Sequence, residues 1–485
     1  MENLRDFLSL LESKNQLVRI NTRVSRDLEI TEIVDRVCKG EAKKNKALLF
    51  ENVDGFNIPL AINLFGSEAR MADALHAHSL DEIGERLAAL LDMSLPQGMK
   101  ALIGRGAELL GALKSVAPRP VVRHNAPCQE VVEQESASLE SLPILKSWPK
   151  DGGRFITLPQ VITRDPEKNT RNVGMYRLQV LDEKTLLMHW QRHKGGAEHE
   201  RVARGKKVEV FPAAIVLGGD PAAIWCASAP LPPNIDEYLL AGWLRGSPLE
   251  MVKCVSQPLE VPAQAEIVIE GFVDPNDHRP EGPFGDHTGY YTPVELFPVF
   301  HVTAITHRKS PIYPATVVGI PPMEDAWMGK ATERIFLPLM RLFMPEIVDV
   351  HLPVSGGFHN LALVSIRKRF PGHARKVMHG LWGLGLMSLT KAIVIVDEWV
   401  DVQNLNLTAW QALGNVDWKR DIILTDGPVD QLDHAAPHPS FGGKIGIDAT
   451  AKLPEEGHPR TWPEAARMDE ATRRRVDEIW SSLGL

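Results

Sequence analysis

The densest run of residues able to do chemistry is Arg279-Pro280-Glu281-Gly282-Pro283-Phe284-Gly285-Asp286-His287-Thr288-Gly289-Tyr290-Tyr291. Two carboxylates, Glu281 and Asp286, stand there on a loop shaped by glycine and proline, with aromatic residues beside them. General acid–base work asks for carboxyl groups held rigidly against apolar surface, where burial raises a pKa. Proline fixes the backbone and glycine lets it come close to a ligand. A solvated turn would have the same composition. On the acid–base reading, Asp286 follows a Phe-Gly pair on an apolar wall. Burial there would keep its carboxyl protonated, the form a general acid needs.

Three further clusters lie upstream. Asn172-Val173-Gly174-Met175-Tyr176-Arg177 heads a strand-like run, residues 172–180. In a regular strand Asn172 and Arg177 face opposite sides unless a bulge intervenes. His189-Trp190-Gln191-Arg192-His193-Lys194-Gly195-Gly196 brings a nitrogen ligand, basic side chains and a glycine turn together, as an anion or metal site requires. Taken alone, His193 is as ordinary on a surface or in a core as on a metal. Pro232-Pro233-Asn234-Ile235-Asp236-Glu237-Tyr238 places Glu237 in the first turn of a helix. Acidic residues also stand there to balance the helix dipole. A carboxylate combined with Asn and His donors suits manganese or magnesium better than zinc.

These clusters need a scaffold. Leu4, Phe7, Leu8 and Leu11 mark one face of an N-terminal amphipathic helix. Short strands at 47–50 and 60–63 and a helix over 69–91 follow, giving a mixed α/β first part, with a transition near Pro118–Pro120. The middle reads as closely spaced strands at 155–162, 172–180, 186–190, 208–217, 266–271 and 299–306, interrupted by one helix near 235–244. That spacing predicts an antiparallel barrel or sandwich. Beyond Pro311 helices and strands alternate: helix 331–342, strand 347–352, strand 361–366, helix 372–382, strand 392–396, helix 404–413, strand 421–424. This is the pattern of an α/β layer. A charged last helix, 470–483, has Val476, Ile479 and Leu483 on one face, as if to pack on a partner subunit.

A chain of 485 residues exceeds one ordinary core and predicts two or three domains. With 44% hydrophobic and 24% charged residues, its composition is globular. The net charge of −8 argues against a nucleic-acid partner. The 4 cysteines form no C-x-x-C pair, which disfavours a zinc ribbon or a dithiol site and fits a reduced, cytoplasmic protein. The N-terminus has no signal-peptide pattern, and the apolar run 380–396 contains Ser388, Thr390 and Lys391, so it falls short of a membrane span.

In this order the clusters resemble the UbiD family of reversible decarboxylases. The resemblance extends through Pro371-Gly372-His373-Ala374 and Gly443-Lys444-Ile445-Gly446-Ile447-Asp448-Ala449-Thr450, and so covers nearly the whole chain. It implies an N-terminal α/β domain at 1–118, and a central flavin-reductase-like split β-barrel at 119–310 that binds prenylated FMN. It also implies a C-terminal α/β domain at 311–485 with a terminal oligomerisation helix. By the same resemblance Asn172, His193 and Glu237 bind Mn²⁺, which bridges the protein to the flavin phosphate, and K⁺ lies near Ala227-Ser228. Met175, Tyr176, Arg177, His189, Trp190, Gln191, Lys194 and Gly195 match flavin-contacting segments. Lys391, just before the strand at 392–396, matches a lysine that reaches the flavin from the C-terminal domain. At His189, Gln191 and Lys194 quinone-pathway relatives tend to differ.

The implied catalytic residues are Arg177, Glu281 and Asp286. Arg177 pairs with Glu281 and orients the substrate carboxylate; Asp286 protonates the ring carbon. Many members carry Glu where this chain has Asp286, which resembles the bacterial quinone-pathway branch. The implied substrate is then a 4-hydroxy-3-polyprenylbenzoate of ubiquinone synthesis. Alternatives are a naphthoate-type acid of menaquinone synthesis and a hydroxybenzoate in degradation. Residues 320–330 would line the mouth of the site. The implied partners are a flavin prenyltransferase that supplies the cofactor and further copies of the chain in a homodimer or homohexamer. The implied setting is the cytoplasm, with peripheral membrane contact for a prenylated substrate. Two rivals stay open: a non-catalytic flavin-binding accessory protein, and a plain flavin reductase, which needs no carboxylate pair.

Overall fold

The computed structural model describes residues 1–91, 111, 114–191, 194–232 and 234–484. Helix α1, Leu4–Ser13, is capped by Asn3, whose side chain accepts from the Arg5 and Asp6 N–H groups, and it buries Leu4, Phe7, Leu8 and Leu11. Strand β1, Leu17–Ile20, runs parallel to β2, Ala47–Phe50, which pairs antiparallel with β3, Leu60–Ile62. Tyr313–Pro314 returns from downstream to add the fourth strand, parallel to β3. Helix α2, Glu29–Lys39, joins β1 to β2. The single helix expected over 69–91 is two, α3 at Glu68–Ala74 and α4 at Leu80–Leu91. The chain breaks at His76, whose φ of 58° ends a right-handed helix, and restarts where the Ser79 hydroxyl accepts from the Glu82 N–H.

The central sheet contains β4 (Phe155–Ile156), β5 (Gln160–Arg164), β6 (Arg171–Gly174), β7 (Leu178–Val180), β8 (Thr185–Met188), β9 (Phe211–Leu217), β10 (Ile267–Glu281) and β11 (Glu295–His307). Their order is β4-β7-β8-β11-β10-β9-β5-β6, with Val131–Glu133 paired to β11 off this path. Among the described residues β4 and β6, the two ends, do not pair, so the sheet is open and no closed barrel forms. The run expected as one strand, 172–180, breaks at Met175-Tyr176-Arg177. Its first half pairs with β5 and its second with β4 and β8, at opposite ends of the sheet. Met175 leaves the ladder and its N–H donates to the Ala227 carbonyl at 2.8 Å. From Gly174 to Leu178 an extended chain spans no more than about 14 Å. The two ends are therefore close, and the sheet curls back on itself with Arg177 in the gap.

Among the described residues three helices, not one, interrupt these strands: α5 (Gly195–Gly205), α6 (Pro221–Cys226) and α7 (Glu237–Arg245). The glycine pair read as a turn opens α5. A Cβ on Gly195 would lie 1.9 Å from Asn172 Oδ1, and one on Gly196 would lie 2.4 Å from the Trp190 ring. Glycine here permits close packing, and the helix follows from it.

After α8, Glu324–Phe343, the C-terminal sheet orders β12 (Ile347–His351), β13 (Leu361–Ile366), β14 (Ala392–Asp397), β16 (Phe441–Asp448) and β15 (Ile422–Pro428) as β12-β13-β14-β16-β15. The inner strands are parallel and the edges antiparallel. Helix α9, His373–Trp382, packs on one face and α10, Leu405–Asn415, on the other. Helix α11, Glu470–Trp480, buries no residue. The chain is thus mixed α/β with several sheets. Among the described residues no helix is long and apolar enough to cross a membrane.

Candidate active site

Arg177 lies in the break between β6 and β7, and Glu281 closes β10. Two register shifts along β10, at Glu270/Gly271 and Asp274/His278, bring Glu281 opposite Glu295. Gly282 then turns the chain at φ +95°, a conformation that favours glycine. The loop that follows is braced on several sides. The Asp151 carboxylate accepts from the Gly285 and Trp148 N–H groups, each at 2.8 Å. The Gly282 N–H donates to Gln179 Oε1 at 2.7 Å, and Phe284 packs on Phe155 with ring centroids 4.6 Å apart.

The guanidinium of Arg177 donates from Nε and Nη2 to the two oxygens of Glu281, at 2.7 and 3.0 Å. Nη1 donates to Asp286 Oδ2, and Nη2 also donates to the Thr292 hydroxyl at 3.2 Å. The group lies over the Phe284 ring, 4.8 Å from its centroid. The side chains of Arg177, Glu281 and Asp286 are only 8%, 0% and 10% exposed, so water does little to screen them. On the far side of Glu281, His189 Nδ1 lies 3.2 Å from Oε2.

Burial alone would protonate both carboxyls, but their partners outweigh it. Glu281 is lowered to about 2 by the hydrogen bonds of His189 and Arg177. Asp286 is held well below the usual carboxylate range by the hydrogen bond and charge of His287, then by Arg177. This corrects the expectation that burial keeps Asp286 protonated. Its partner His287 is shifted the other way. Burial opposes its charge, yet the Asp286 carboxylate raises it to about 9. His287 Nδ1 is 2.9 Å from Asp286 Oδ1, and its Nε2 is 2.9 Å from Nε2 of His359 in the C-terminal layer.

A second group of expected residues gathers beside this one. Glu237 begins α7 and accepts from the Val173 N–H at 2.8 Å, next to Asn172. The Tyr176 hydroxyl accepts from the Gly196 N–H at 3.0 Å, and the Tyr176 and Trp190 rings meet edge-on at 5.0 Å. Asn172, Tyr176, Trp190, Glu237 and the start of α5 with Lys194 and Gly195 therefore share one wall. Buried Nδ2 of Asn172, Nε2 of His189 and Nε1 of Trp190 find no hydrogen-bond partner among the described residues. Burial pushes Glu237 up to about 7, the mark of a carboxylate short of positive charge, and burial lowers Lys194. The orphaned N–H donors of Asn172 and Trp190, the open ring nitrogen of His189 and a carboxylate short of positive charge fit a bound anionic cofactor with a divalent ion. Among the described residues no cluster of three or more His, Cys, Asp or Glu is arranged for a metal, and a set of Asn172, Glu237 and His193 is not of that kind. His193 lies outside the described residues.

Of the other expected contacts, Met175 is held through its backbone, the Gln191 carbonyl accepts from the Lys194 N–H at 3.0 Å, and Lys391 is paired with Asp433 at 2.9 Å. The structure adds two residues that the sequence did not single out. His287 was quoted within its motif but given no role. Nothing in the spacing pointed to His359, 72 positions further on.

The chain matches three family models: the 3-octaprenyl-4-hydroxybenzoate carboxy-lyase N-terminal domain at residues 8–87, the Rift-related domain at 119–321 and the C-terminal domain at 326–449. An uncharacterized protein of Archaeoglobus fulgidus is 52% identical over 486 residues, covering 99% of this chain and 98% of that one. Among solved structures, the closed form of the vanillic acid decarboxylase of Sedimentibacter hydroxybenzoicus superposes with a TM-score of 0.85 at 28% identity, over 100% of this chain and 99% of that one. The UbiD-class enzyme HmfF of Pelotomaculum thermopropionicum, in complex with FMN, gives 0.81 at 29% identity, over 98% and 99%. An evolved dimeric form of HmfF with prenylated FMN gives 0.78 at 29%, over 98% and 100%.

Proposed function

Because this chain belongs to the UbiD family of carboxy-lyases, we propose that it removes CO₂ from an aromatic acid without net oxidation, using prenylated FMN and a divalent metal. The observation that carries the reading is the buried Arg177 bridging Glu281 and Asp286. Asn172, Glu237 and His193 would hold Mn²⁺, with K⁺ near Ala227-Ser228. The wall of Met175, Tyr176, His189, Trp190, Gln191, Lys194 and Gly195, within the curled central sheet as a split barrel, would hold the flavin, with Lys391 approaching from the C-terminal layer. When bound, the cofactor supplies an electron sink for the pair of electrons left as CO₂ departs.

The chain's own residues do the rest. A guanidinium has five N–H donors. Four are used on Glu281, Asp286 and Thr292, so one is left for the substrate carboxylate. Glu281 keeps Arg177 in place, and the forked pair limits its rotation. Asp286 passes a proton to the carbon that lost CO₂. Phe284, under the Arg177 guanidinium, and Phe297, with its ring 4.1 Å from that of His189, are both buried and keep water from the site. Tyr290, Tyr291, Val294, Leu296 and Ile320 are exposed around the catalytic loop, an apolar rim suited to a long substituent. That rim favours a 4-hydroxy-3-polyprenylbenzoate of quinone synthesis as substrate. The test is a panel of polyprenylated and plain hydroxybenzoates and naphthoate-type acids, given to protein co-expressed with a flavin prenyltransferase. CO₂ release from a prenylated acid supports the reading. Equal turnover by protein containing only unmodified FMN overturns it.

A further inference from the structure

We propose that His287 is the proton reserve from which Asp286 is charged, and that His359 is a positioning residue holding the His287 ring to that task. The proposal rests on the reading that Asp286 delivers a proton to the substrate. An ionised Asp286 has no proton to give, so one must reach it within each turnover. His287 faces Asp286 twice: its backbone N–H donates to Oδ1 at 2.7 Å and its Nδ1 lies 2.9 Å from the same oxygen.

The other end of the ring limits the tautomers. His287 Nε2 and His359 Nε2 are 2.9 Å apart, so a single hydrogen lies between them. A charged His287 donates from both nitrogens, which leaves His359 neutral, accepting at Nε2 and protonated at Nδ1. That Nδ1 is buried and has no partner among the described residues. The Phe358 ring, 5.4 Å from the His287 ring, limits tilt. The charged surroundings agree. Asp286, with Arg177 behind it, faces His287 from the catalytic loop, Asp325 from α8 and Asp430 from the strand-to-strand loop. Asp433, paired with Lys391, and Asp430 face His359. Burial and the neighbouring His287 charge depress His359, whereas Asp286 outweighs burial at His287.

The step balances without a further reagent. The Nδ1–H bond of His287 breaks as an O–H bond forms at Asp286 Oδ1. That O–H bond then breaks as C–H forms on the substrate carbon, whose bond to CO₂ has broken. One proton from water restores His287 in each cycle, as the loss of CO₂ from a carboxylate requires.

The test uses cofactor-loaded protein and two variants. His287→Gln should retain flavin while kcat falls on the order of 10-fold to 100-fold. His359→Leu should keep KM and flavin content but shift the alkaline limb of the kcat profile down by about one pH unit, since a hydrogen bond to the charged ring is lost. Nitrogen NMR of ¹⁵N-histidine-labelled wild-type protein should show both His287 ring nitrogens protonated at pH 7. Normal kcat in His287→Gln, an unmoved alkaline limb in His359→Leu, or a neutral His287 at pH 7 would overturn the proposal. Should His287→Gln not fold, the NMR titration decides alone. Wild-type protein inactive on every acid would sink the proposed function, while the NMR result still judges the proton reserve.

Discussion

Glu281 holds Arg177 through two parallel hydrogen bonds, 2.7 Å from Nε and 3.0 Å from Nη2, with the carboxylate itself fully buried. Such a fork fixes the guanidinium plane as a single contact does not. Glu281→Gln keeps the shape but removes the charge, so Arg177 will turn toward Asp286. Decarboxylation should fall on the order of 10²-fold. Because the residues share Arg177, Glu281→Gln combined with Asp286→Asn should lose much less than the product of the two single losses. Steady-state kinetics on the three variants checks this; simple multiplication would show that the carboxylates act independently.

Glu237 is placed to test the metal. Its carboxylate accepts the Val173 N–H beside Asn172, and burial outweighs the nearby Arg171 charge in setting its pKa. Glu237→Gln should weaken manganese retention by at least about tenfold and carry flavin with it, because the ion would bridge the two. Metal analysis and flavin absorbance after dialysis report both. Wild-type contents would return Glu237 to the ordinary work of a helix start.

The residues proposed as catalytic were legible because their chemistry lies in short motifs, Met175-Tyr176-Arg177 and Glu281 through Asp286. How they meet was not. Val173, Tyr176, Leu178 and Val180 make residues 172–180 look like one strand, and only the pairing of the two halves with opposite ends of the sheet forces the break that frees Arg177. Gly195-Gly196 looked like a turn because the close approach of Asn172 and Trp190 cannot be read locally. The charge state of Asp286 was misjudged for a related reason. Burial can be guessed from Phe284 and Gly285, but the opposing pull of His287 depends on a loop that folds adjacent side chains onto one another.

His287 also predicts how stability changes with pH. Its folded pKa is raised to about 9 from an ordinary value of 6.5. A raised histidine contributes stability fully below about pH 6.5 and loses it as pH rises through about 9. Thermal unfolding of the wild-type protein should therefore fall across that alkaline window, and His287→Gln should flatten the fall while lowering stability near neutrality. Parallel wild-type and variant curves from pH 6.5 to 9.5 would contradict the shift.

Helix α11 exposes Val476 and Trp480, at 37% and 52%, and none of its residues is fully buried against its own chain. The chain should therefore form a homodimer or larger assembly that this helix helps to hold. Deleting residues 470–485 should lower the mass seen by light scattering. An intact chain that is monomeric at micromolar concentration would rule this out.

Proton delivery by Asp286 is tested most directly by decarboxylation in D₂O with cofactor-loaded wild-type and Asp286→Asn proteins. The substitution keeps the size of Asp286 and its hydrogen bonding with Arg177 but removes the group that carries the proton. Wild-type product should carry deuterium at the carbon that lost CO₂. The Asp286→Asn protein should retain flavin and metal while turnover falls on the order of 10²-fold or more. Near-normal decarboxylation by Asp286→Asn, with the same deuterium content in its product, would contradict proton delivery by Asp286.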